Sequence, residues 1–293
     1  MSKGLCFIFF ILSVFMSKVL VLGSDGQVGK ELKKCAPNNF IFLSKKEIDI
    51  NNHNKVRKII IKKKPKIIIN LAAYTNVDES EINKLDCLNT NYLSIINLIN
   101  FIKEKNILFF YISTDYVFDG KKKNKYKEYN KKNPINFYGL TKSLSEDYII
   151  DHSDNYLILR TSWIYSDNKS SFLYKVLKLI KNNKNVYGVI DNYSGPTSAF
   201  NLSKAIIFII KKKIRNKILH FNDNKKLSPY QFISIIKKKF PKSTSILKKI
   251  KYRETKLNAN RPKNSFLSIS KVLKKIKTAS LIKEIVKYEK NIY

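Results

Sequence analysis

The sequence is poor in the residues that build metal sites, disulfide frameworks and histidine-dependent catalysis. It contains 3 Cys and 3 His among 293 residues, and no CxxC or mixed Cys/His cluster. These residues are Cys6, Cys35, Cys87, His53, His152 and His220. Their small number and wide spacing exclude a disulfide scaffold and argue against a zinc site, a histidine metal site or a catalytic triad.

Acidic residues and arginines are also scarce. Lys and Arg total 57 against 22 Asp and Glu, so the formal net charge is +35. The arginines are Arg57, Arg160, Arg215, Arg253 and Arg261. Because Arg is the preferred residue for bidentate phosphate and base contacts, a specific nucleic-acid surface is expected to hold more of it. The composition favours a lysine-coated surface, of the kind an AT-rich genome produces, with no specific nucleic-acid partner.

Long hydrophobic runs are absent, although 44% of the residues are hydrophobic, which is enough for a substantial core. The N-terminal run Leu5–Phe15 is shorter than the roughly 20 residues of a membrane span. It would fit a signal peptide, but no small-residue cleavage site follows, and the segment from Met16 resembles a complete protein start. We interpret residues 1–15 as an apolar extension from a start-codon choice or an accessory segment, and predict a cytoplasmic protein without a membrane span.

Short apolar runs alternate with longer helical patterns along the rest of the chain. The predicted strands are Val19–Leu22, Phe40–Leu43, Lys66–Asn70, Leu108–Ser113, Tyr156–Arg160, Asn185–Ile190 and Ile218–Phe221. Alternation of this kind predicts an α/β fold of the Rossmann type, with a doubly wound parallel sheet. We expect a dinucleotide-binding domain over 16–165. A smaller, interwoven α/β part over 166–293 would bind substrate, with a segment near 185–200 returning to the sheet.

Three of the 8 glycines, Gly23, Gly26 and Gly29, lie together in "VLVLGSDGQVG". This loop follows the first predicted strand and begins a helix, which is the context of a dinucleotide-binding site. The first glycine permits a tight turn, the second lets the backbone approach a pyrophosphate, and the third packs helix on strand. The alternative is an ordinary turn, which a glycine-poor chain makes less attractive.

The end of the second predicted strand bears on cofactor choice. NAD sites often place an acidic residue there for the ribose hydroxyls. Here Ser44, Lys45 and Lys46 occupy the expected positions, and no carboxylate is there to repel a 2′-phosphate. The sequence therefore favours NADPH and leaves NADH open.

Tyr138 and Lys142 form YxxxK in "NFYGLTKSLSED", and residues four apart share a helix face. An ammonium at that spacing would lower the tyrosine pKa from about 10 towards neutrality, which suits proton transfer to a substrate oxygen. Thr114 ends the strand in "FFYISTDYVFDG", where a hydroxyl can bind the same oxygen. A tyrosine packed on its helix beside a solvated lysine is the alternative for YxxxK alone.

The order of these elements resembles the extended short-chain dehydrogenase/reductases, and in detail the dTDP-4-dehydrorhamnose reductase family. The matching segments are "GSDGQVG" (23–29), "NLAAYTNVDESE" (70–81), "STDYVFDG" (113–120), "PINFYGLTKSLSE" (134–146), "LRTSWIY" (159–165), "GPTSAFNLSKAI" (195–206) and "RPKNSFLSISK" (261–271). The resemblance implies reduction of a dTDP-4-keto sugar to dTDP-β-L-rhamnose for surface polysaccharide synthesis.

The resemblance also implies roles for individual residues. Tyr138 would be the general acid, Lys142 its pKa partner and a ribose ligand, and Thr114 the group that positions the keto oxygen. The cofactor would contact Gly23, Asp25, Gly26, Gln27, Val28, Gly29, Asp49, Ile50, Ala72, Ala73, Tyr74, Asn91, Tyr138 and Lys142. The substrate would contact Thr75, Val77, Thr114, Asp115, Tyr116 and Trp163, the only tryptophan.

The chain departs from the family pattern at Tyr193, Phe266 and Ser268, where the family has Gln, Arg and Asp. A homodimer and Mg²⁺ binding are expected from the resemblance only, and no carboxylates here match a metal site. Three alternatives remain open. One is another nucleotide-sugar reductase or epimerase of the superfamily, and the second is a non-catalytic regulatory subunit like that of methionine adenosyltransferase. The third is a nucleic-acid binder, which only the net charge of +35 suggests.

Overall fold

The structure is a computed structural model that describes residues 17–292. The extension predicted for residues 1–15 lies outside the described residues. No helix in the described part is both long enough and apolar enough to cross a membrane.

A six-stranded parallel sheet forms the centre of the molecule, in the order β2-β1-β3-β4-β5-β9. Its strands are β1 (Val19–Leu22), β2 (Phe40–Leu43), β3 (Ile67–Asn70), β4 (Leu108–Thr114), β5 (Tyr156–Thr161) and β9 (Lys217–His220). Strands β1 and β5 are almost entirely buried, as continuous apolar runs between two helical layers should be. The predicted Rossmann-type α/β fold is thus confirmed.

Helices cover both faces of this sheet. In chain order the α-helices are α1 (Gln27–Cys35), α2 (His53–Lys63), α3 (Val77–Ile82), α4 (Lys84–Leu88), α5 (Ser94–Ile102), α6 (Phe137–His152), α7 (Phe172–Lys181), α8 (Ala199–Lys211), α9 (Pro229–Lys237) and α10 (Leu281–Ile292). Helices α1 and α8 pack with one face of the sheet in one apolar cluster. Helices α2 and α5 pack with the other face, together with Ile149 of α6.

The C-terminal part contains two small parallel sheets and its own apolar cluster. Strand β7 (Val186–Val189) pairs with β10 (Leu247–Ile250), and β6 (Ile164–Tyr165) pairs with β8 (Thr197–Ser198). Helices α7, α9 and α10 supply most of this cluster. We refer to this region as the second lobe.

The sequence analysis expected the segment near 185–200 to return to the central sheet. The structure instead places its two strands, β7 and β8, in the small sheets of the second lobe. Along β7, buried residues alternate with more exposed ones, and Tyr187 is 55% exposed. Such a strand suits a two-stranded sheet with one wet face, and not a central strand covered on both sides. The sixth central strand is instead β9, which pairs with β5 through Leu157 and Lys217.

Candidate active site

The candidate site lies at the carboxyl ends of the central strands. The chain proceeds from β1 to β2 on one side and then crosses to β3 on the other, so the strand order reverses between β1 and β3. Crevices at such switch points bind ligands in open α/β sheets. The glycine loop follows β1, and the segment beginning at Leu71 follows β3.

Each glycine of the loop has a distinct steric role. Gly23 has a φ of +80°, and a Cβ there would lie 2.6 Å from the Ala72 nitrogen. A Cβ on Gly29 would lie 2.5 Å from the backbone of Ser24. Gly26 differs, because the nearest atom to its Cβ position is the Gly23 oxygen at 3.5 Å. Gly23 and Gly29 therefore allow close packing, whereas Gly26 leaves the surface of the backbone open.

Gly26 also precedes the first turn of α1, and no side chain caps that end of the helix. An uncapped helix N-terminus beside open backbone is suited to a phosphate. Of the remaining loop residues, the side chain of Gln27 accepts a hydrogen bond from Ser166 Oγ (2.9 Å). Val28 is buried in the core, and Asp25 Oδ1 lies 3.4 Å from the Lys45 backbone nitrogen, which donates to it.

The turn after β2 contains a carboxylate that the sequence analysis did not expect there. Glu47 accepts hydrogen bonds from the backbone nitrogen and the hydroxyl of Ser44, both at 2.8 Å. These bonds lower the pKa of Glu47. Lys45 and Lys46 are exposed beside it. The turn thus combines two ammonium groups with the carboxylates of Glu47 and Asp25.

Asn91 holds the segment after β3 in place. Its Oδ1 accepts the backbone N–H of Tyr74 (2.8 Å), and its Nδ2 donates to the Tyr74 oxygen (3.1 Å) and to Thr141 Oγ1 (3.2 Å). It lies in a π-helical turn, Asn89–Leu93, between α4 and α5. Asn91 therefore connects the Ala72–Tyr74 segment to α6.

Two further residues predicted to contact the cofactor, Asp49 and Ile50, directly precede α2. Asp49 accepts the Asn51 N–H (2.9 Å), and Ile50 is buried.

Tyr138 lies in the first turn of α6, next to Thr114. Asn136 caps this helix by accepting the Gly139 N–H (2.7 Å), and Glu81 accepts the Phe137 N–H (2.8 Å). Burial raises the pKa of Tyr138, and a smaller contribution from the neighbouring Thr114 opposes this increase. The structure therefore brings together the predicted acid and the strand-end hydroxyl, with the phenol protonated at neutral pH.

Lys142 does not lower the tyrosine pKa in the way the sequence analysis expected. Its Nζ donates to the Ile112 oxygen (2.7 Å) and lies 3.9 Å from the centre of the Tyr111 ring. Burial lowers the pKa of Lys142 itself to about 7, against an opposing contribution from Glu146. Burial is the main cause of the raised Tyr138 pKa, and the electrostatic contributions of Asp115, Cys87 and Tyr116 raise it further.

The residues after Thr114 form a turn at the end of β4. Asp115 is 2% exposed, and its Oδ2 accepts hydrogen bonds from Ser194 Oγ (2.8 Å) and Ser265 Oγ. The ring of Tyr116 packs edge-on against Tyr138, with centroids 6.3 Å apart. Both residues thus lie beside Thr114 and Tyr138, and their contact with substrate stays a prediction.

The remaining predicted substrate residues follow the carboxyl ends of β3 and β5 in the chain. Thr75 is exposed, and Val77 begins α3. Trp163 has a left-handed backbone, with φ of +36°, and packs on Phe172 (5.2 Å) and Phe232 (4.9 Å) of the second lobe. A tryptophan held in that conformation is unusual and is more common at functional sites.

Sequence reasoning missed several residues that shape the site. Asp78 and Arg261 form a bidentate ion pair, with oxygen–nitrogen distances of 2.6 and 3.0 Å, which ties α3 to the segment of the RPKNSFLS motif. Gly139 was also missed. A Cβ atom on this residue would overlap the backbone oxygen of Tyr116. Its position inside a predicted helix of a glycine-poor chain was the available signal.

The three positions that depart from the family pattern lie in or beside the RPKNSFLS segment, since Tyr193 donates its backbone N–H to the Lys263 oxygen (2.8 Å). Phe266 is 4% exposed, and Lys125 Nζ lies 4.8 Å from the centre of its ring. Lys226 Nζ lies 5.2 Å from the centre of the Tyr193 ring. Ser268 donates its backbone N–H to the Tyr126 oxygen (2.7 Å). An aromatic ring with a lysine over it therefore stands at each of the first two positions.

Among the residues that the structure describes, no three His, Cys, Asp or Glu side chains are grouped closely enough to hold a metal ion. Nothing in this part of the chain supports the Mg²⁺ expectation.

Comparisons with known proteins show which family the chain resembles in sequence. The family model described as RmlD substrate binding domain matches residues 17–288. The chain is 34% identical over 227 residues to the dTDP-4-dehydrorhamnose reductase of Aggregatibacter actinomycetemcomitans, covering 74% of this chain and 77% of the relative. It is 33% identical over 239 residues to a spore coat polysaccharide biosynthesis protein of Bacillus subtilis, covering 79% and 82%.

Similarity extends to a solved structure. The dTDP-4-dehydrorhamnose reductase of Bacillus anthracis, in complex with NADP, superposes with a TM-score of 0.86 and 26% identity. The match covers 94% of this chain and 99% of that structure's chain.

Proposed function

The chain belongs to the dTDP-4-dehydrorhamnose reductase family, and we propose that it reduces the C4 keto group of dTDP-4-dehydro-β-L-rhamnose to give dTDP-β-L-rhamnose. The observation that carries this proposal is the packing of the first turn of α6 on the turn after β4, where the Tyr138 ring lies edge-on to Tyr116 (6.3 Å) and beside Thr114. It places a protonated phenol and a hydroxyl at the edge of the sheet where the glycine loop also lies.

The residues around the glycine loop fit a dinucleotide. Gly26 leaves open backbone beside the uncapped N-terminus of α1, which would hold the pyrophosphate. Asp49 and Ile50 would lie beside the adenine, and Lys142 would bind the ribose. When bound, NADPH supplies the hydride to C4.

The protein contributes orientation and a proton. Tyr138 donates its proton to the oxygen at C4 as the keto group becomes an alcohol. Because burial raises its pKa, the phenol holds that proton at neutral pH. Asn136 and Glu81 fix the first turn of α6 and hence the position of Tyr138.

For cofactor choice we propose NADPH, supported by the NADP complex of the Bacillus anthracis relative. Lys45 and Lys46 would bind the 2′-phosphate, and the neighbouring Glu47 and Asp25 carboxylates would weaken that preference and keep NADH usable. Since the cofactor must be reduced again after each turnover, we place the reaction in the cytoplasm. The product would supply surface polysaccharide synthesis, and the enzyme would act as a homodimer.

The test is an absorbance assay at the NAD(P)H band with enzymatically made dTDP-4-dehydrorhamnose, with product identification. We expect substrate-dependent oxidation of NADPH, reduced by a factor of about 100 or more in Tyr138→Phe. Tyr148→Phe is the matched control, because Tyr148 lies on the same helix but bonds to Asn100 instead (2.9 Å). NADPH binding without turnover would contradict the reductase and favour a regulatory subunit. A product other than dTDP-β-L-rhamnose would indicate another nucleotide-sugar enzyme.

A further inference from the structure

Glu31 is a buried carboxylate that the proposed reaction does not use. It lies in α1, the helix that begins at the glycine loop, and it is 1% exposed. Lys34 Nζ donates to Glu31 Oε1, and Lys287 Nζ donates to Oε2 (3.4 Å). Lys34 belongs to the same helix, whereas Lys287 comes from α10, 256 residues later in the chain. Each carboxylate oxygen therefore faces an ammonium group, and one of these groups comes from a distant part of the chain.

The other buried carboxylates among the described residues have partners of a different kind. Asp115 and Glu284 accept hydrogen bonds from serine hydroxyls. Glu146 accepts two hydrogen bonds from the guanidinium of Arg160. An ionised carboxylate removed from water is costly unless a cation or several hydrogen-bond donors compensate its charge. At Glu31 this compensation comes from ammonium groups.

The Lys287 ammonium is held where three helices meet. Its Nζ lies 4.0 Å from the centre of the Phe200 ring, on α8, and 5.4 Å from the centre of the Tyr288 ring. The faces of aromatic rings attract a cation, most strongly where little water reaches them. The Tyr288 hydroxyl accepts the backbone N–H of Phe200 (3.2 Å), which joins α8 to α10. Lys287 thus connects α1 to the two helices that surround its own ammonium group.

The same surroundings do not suit a divalent cation, which the family resemblance led us to expect somewhere in the molecule. Mg²⁺ is bound through carboxylates and water. At Glu31 the neighbouring groups are ammonium ions, since Lys204 Nζ also lies 5.5 Å from the centre of the Phe200 ring. A metal ion at this carboxylate would have to displace Lys287 and would then be repelled by the remaining ammonium groups.

We propose that Lys287 is the internal counter-ion of Glu31, and that its ammonium group holds the junction of α1, α8 and α10 together without a divalent metal ion. The junction joins the helix that begins at the glycine loop to the C-terminal helix of the second lobe. A residue of the chain itself therefore supplies the cation that the buried carboxylate requires. This inference concerns the folded state, so it does not depend on which sugar the protein reduces.

The first experiment measures the melting temperature of the full wild-type chain after treatment with EDTA, and again with MgCl2. A cation that binds the folded state raises the melting temperature by mass action. We expect the value in about 5 mM MgCl2 to agree within about 1 °C with the value in KCl of equal ionic strength. The KCl sample is the control for screening of the net charge of +35. A larger increase with MgCl2 than with KCl would overturn the metal-free junction.

The second experiment tests Lys287 with a double-mutant cycle. Lys287→Met keeps an apolar stem of similar length but leaves Glu31 without one of its ammonium partners, so the melting temperature should fall by about 4 °C or more. Adding Glu31→Gln removes the buried charge, so the double variant should melt at least about 2 °C above Lys287→Met. Lys283→Met is the matched control, because Lys283 is an exposed lysine of the same helix, and its melting temperature should change by less than about 1 °C.

Two results of the cycle would overturn the role of Lys287. One is a melting temperature of Lys287→Met equal to that of Lys283→Met. The other is a double variant in which the losses of Lys287→Met and Glu31→Gln simply add, because additive losses show that the two residues act independently. Since thermal unfolding is the readout throughout, a failure of this proposal leaves the proposed reductase untouched. An inactive wild type in the NADPH assay would likewise leave the Glu31–Lys287 junction untouched.

Discussion

A Cβ atom at Gly139 would lie 2.2 Å from the backbone oxygen of Tyr116, well inside van der Waals contact. The first turn of α6 can therefore approach the turn after β4 only because residue 139 has no side chain. This approach is what brings Tyr138 of α6 beside Thr114 of β4.

The first prediction concerns this contact. In Gly139→Ala, the methyl group must push α6 away from Tyr116, so we expect destabilisation by about 1–3 kcal/mol. Reductase activity should fall by a factor of about 10 or more, because a small misplacement of a catalytic group is costly. Leu140→Ala is the control, since Leu140 is 40% exposed on the same turn. Urea unfolding and the NADPH assay measure both effects, and a fully active Gly139→Ala would contradict the argument.

The second prediction contrasts two glycines of the dinucleotide loop. Gly29→Ala places a methyl group 2.5 Å from Ser24, so it should destabilise the fold by about 1–3 kcal/mol. Gly26→Ala meets nothing closer than 3.5 Å, so it should fold normally but bind NADPH about 10 times more weakly. Thermal unfolding and an NADPH titration distinguish the two. Equal binding by Gly26→Ala and the wild type would argue against a pyrophosphate at this position.

The third prediction concerns the buried ammonium of Lys142. Its pKa is about 7 in the fold, against about 10.4 in an unfolded chain. Between these two pH values the unfolded state binds more protons than the folded state, so the contribution of Lys142 to the free energy of unfolding increases with pH. Below about pH 7 the lysine is charged in both states, and the fold bears the full cost of burying the ammonium. The free energy of unfolding of the wild type, relative to Lys142→Met, should rise by about 2 kcal/mol from pH 7 to pH 9.

This difference is measured by urea unfolding of both proteins without cofactor at the two pH values. Lys46→Met is the control for the loss of one positive charge, because Lys46 is an exposed lysine. A pH-independent difference between wild type and Lys142→Met would show that the lysine is not titrating in this range.

The fourth prediction concerns cofactor preference. Glu47 is bonded to Ser44 beside Lys45, so its charge should oppose a 2′-phosphate at that turn. Glu47→Gln should raise the preference for NADPH over NADH by about two- to fivefold, and Lys45→Ala should lower it by a similar factor. The ratio of kcat/KM for the two cofactors measures this, at low and high salt. A change in both cofactors by the same factor would place the 2′-phosphate elsewhere.

Local sequence patterns were sufficient for the sheet and for part of the site. The limits of β1 and β2 agree with the predicted strands because each is a continuous apolar run ended by turn residues. The glycine loop was recognisable because its three residues and the flanking strand are adjacent in sequence. The resemblance to a known family then predicted the residues that meet at Tyr138.

Other features depended on contacts between distant segments. The pattern at 185–190 predicted a strand correctly, but which sheet it joins depended on the packing of β7 against β10. The state of Tyr138 was also not predictable from YxxxK, because burial and not the lysine decides its pKa. Glu47 was overlooked because its return to Ser44 depends on the shape of the turn.

The sequence alone determined the parallel α/β architecture, the dinucleotide loop and the helix carrying Tyr138 and Lys142, because each follows from backbone periodicity and short spacings. The tertiary structure alone decided that Ser194 and Ser265 meet on Asp115, and that Gly139 admits α6 to the end of β4. Contacts between residues so far apart in sequence arise only when the distant segments pack together in the fold. Burial in that packing then shifts the pKa values of Asp115 and Tyr138.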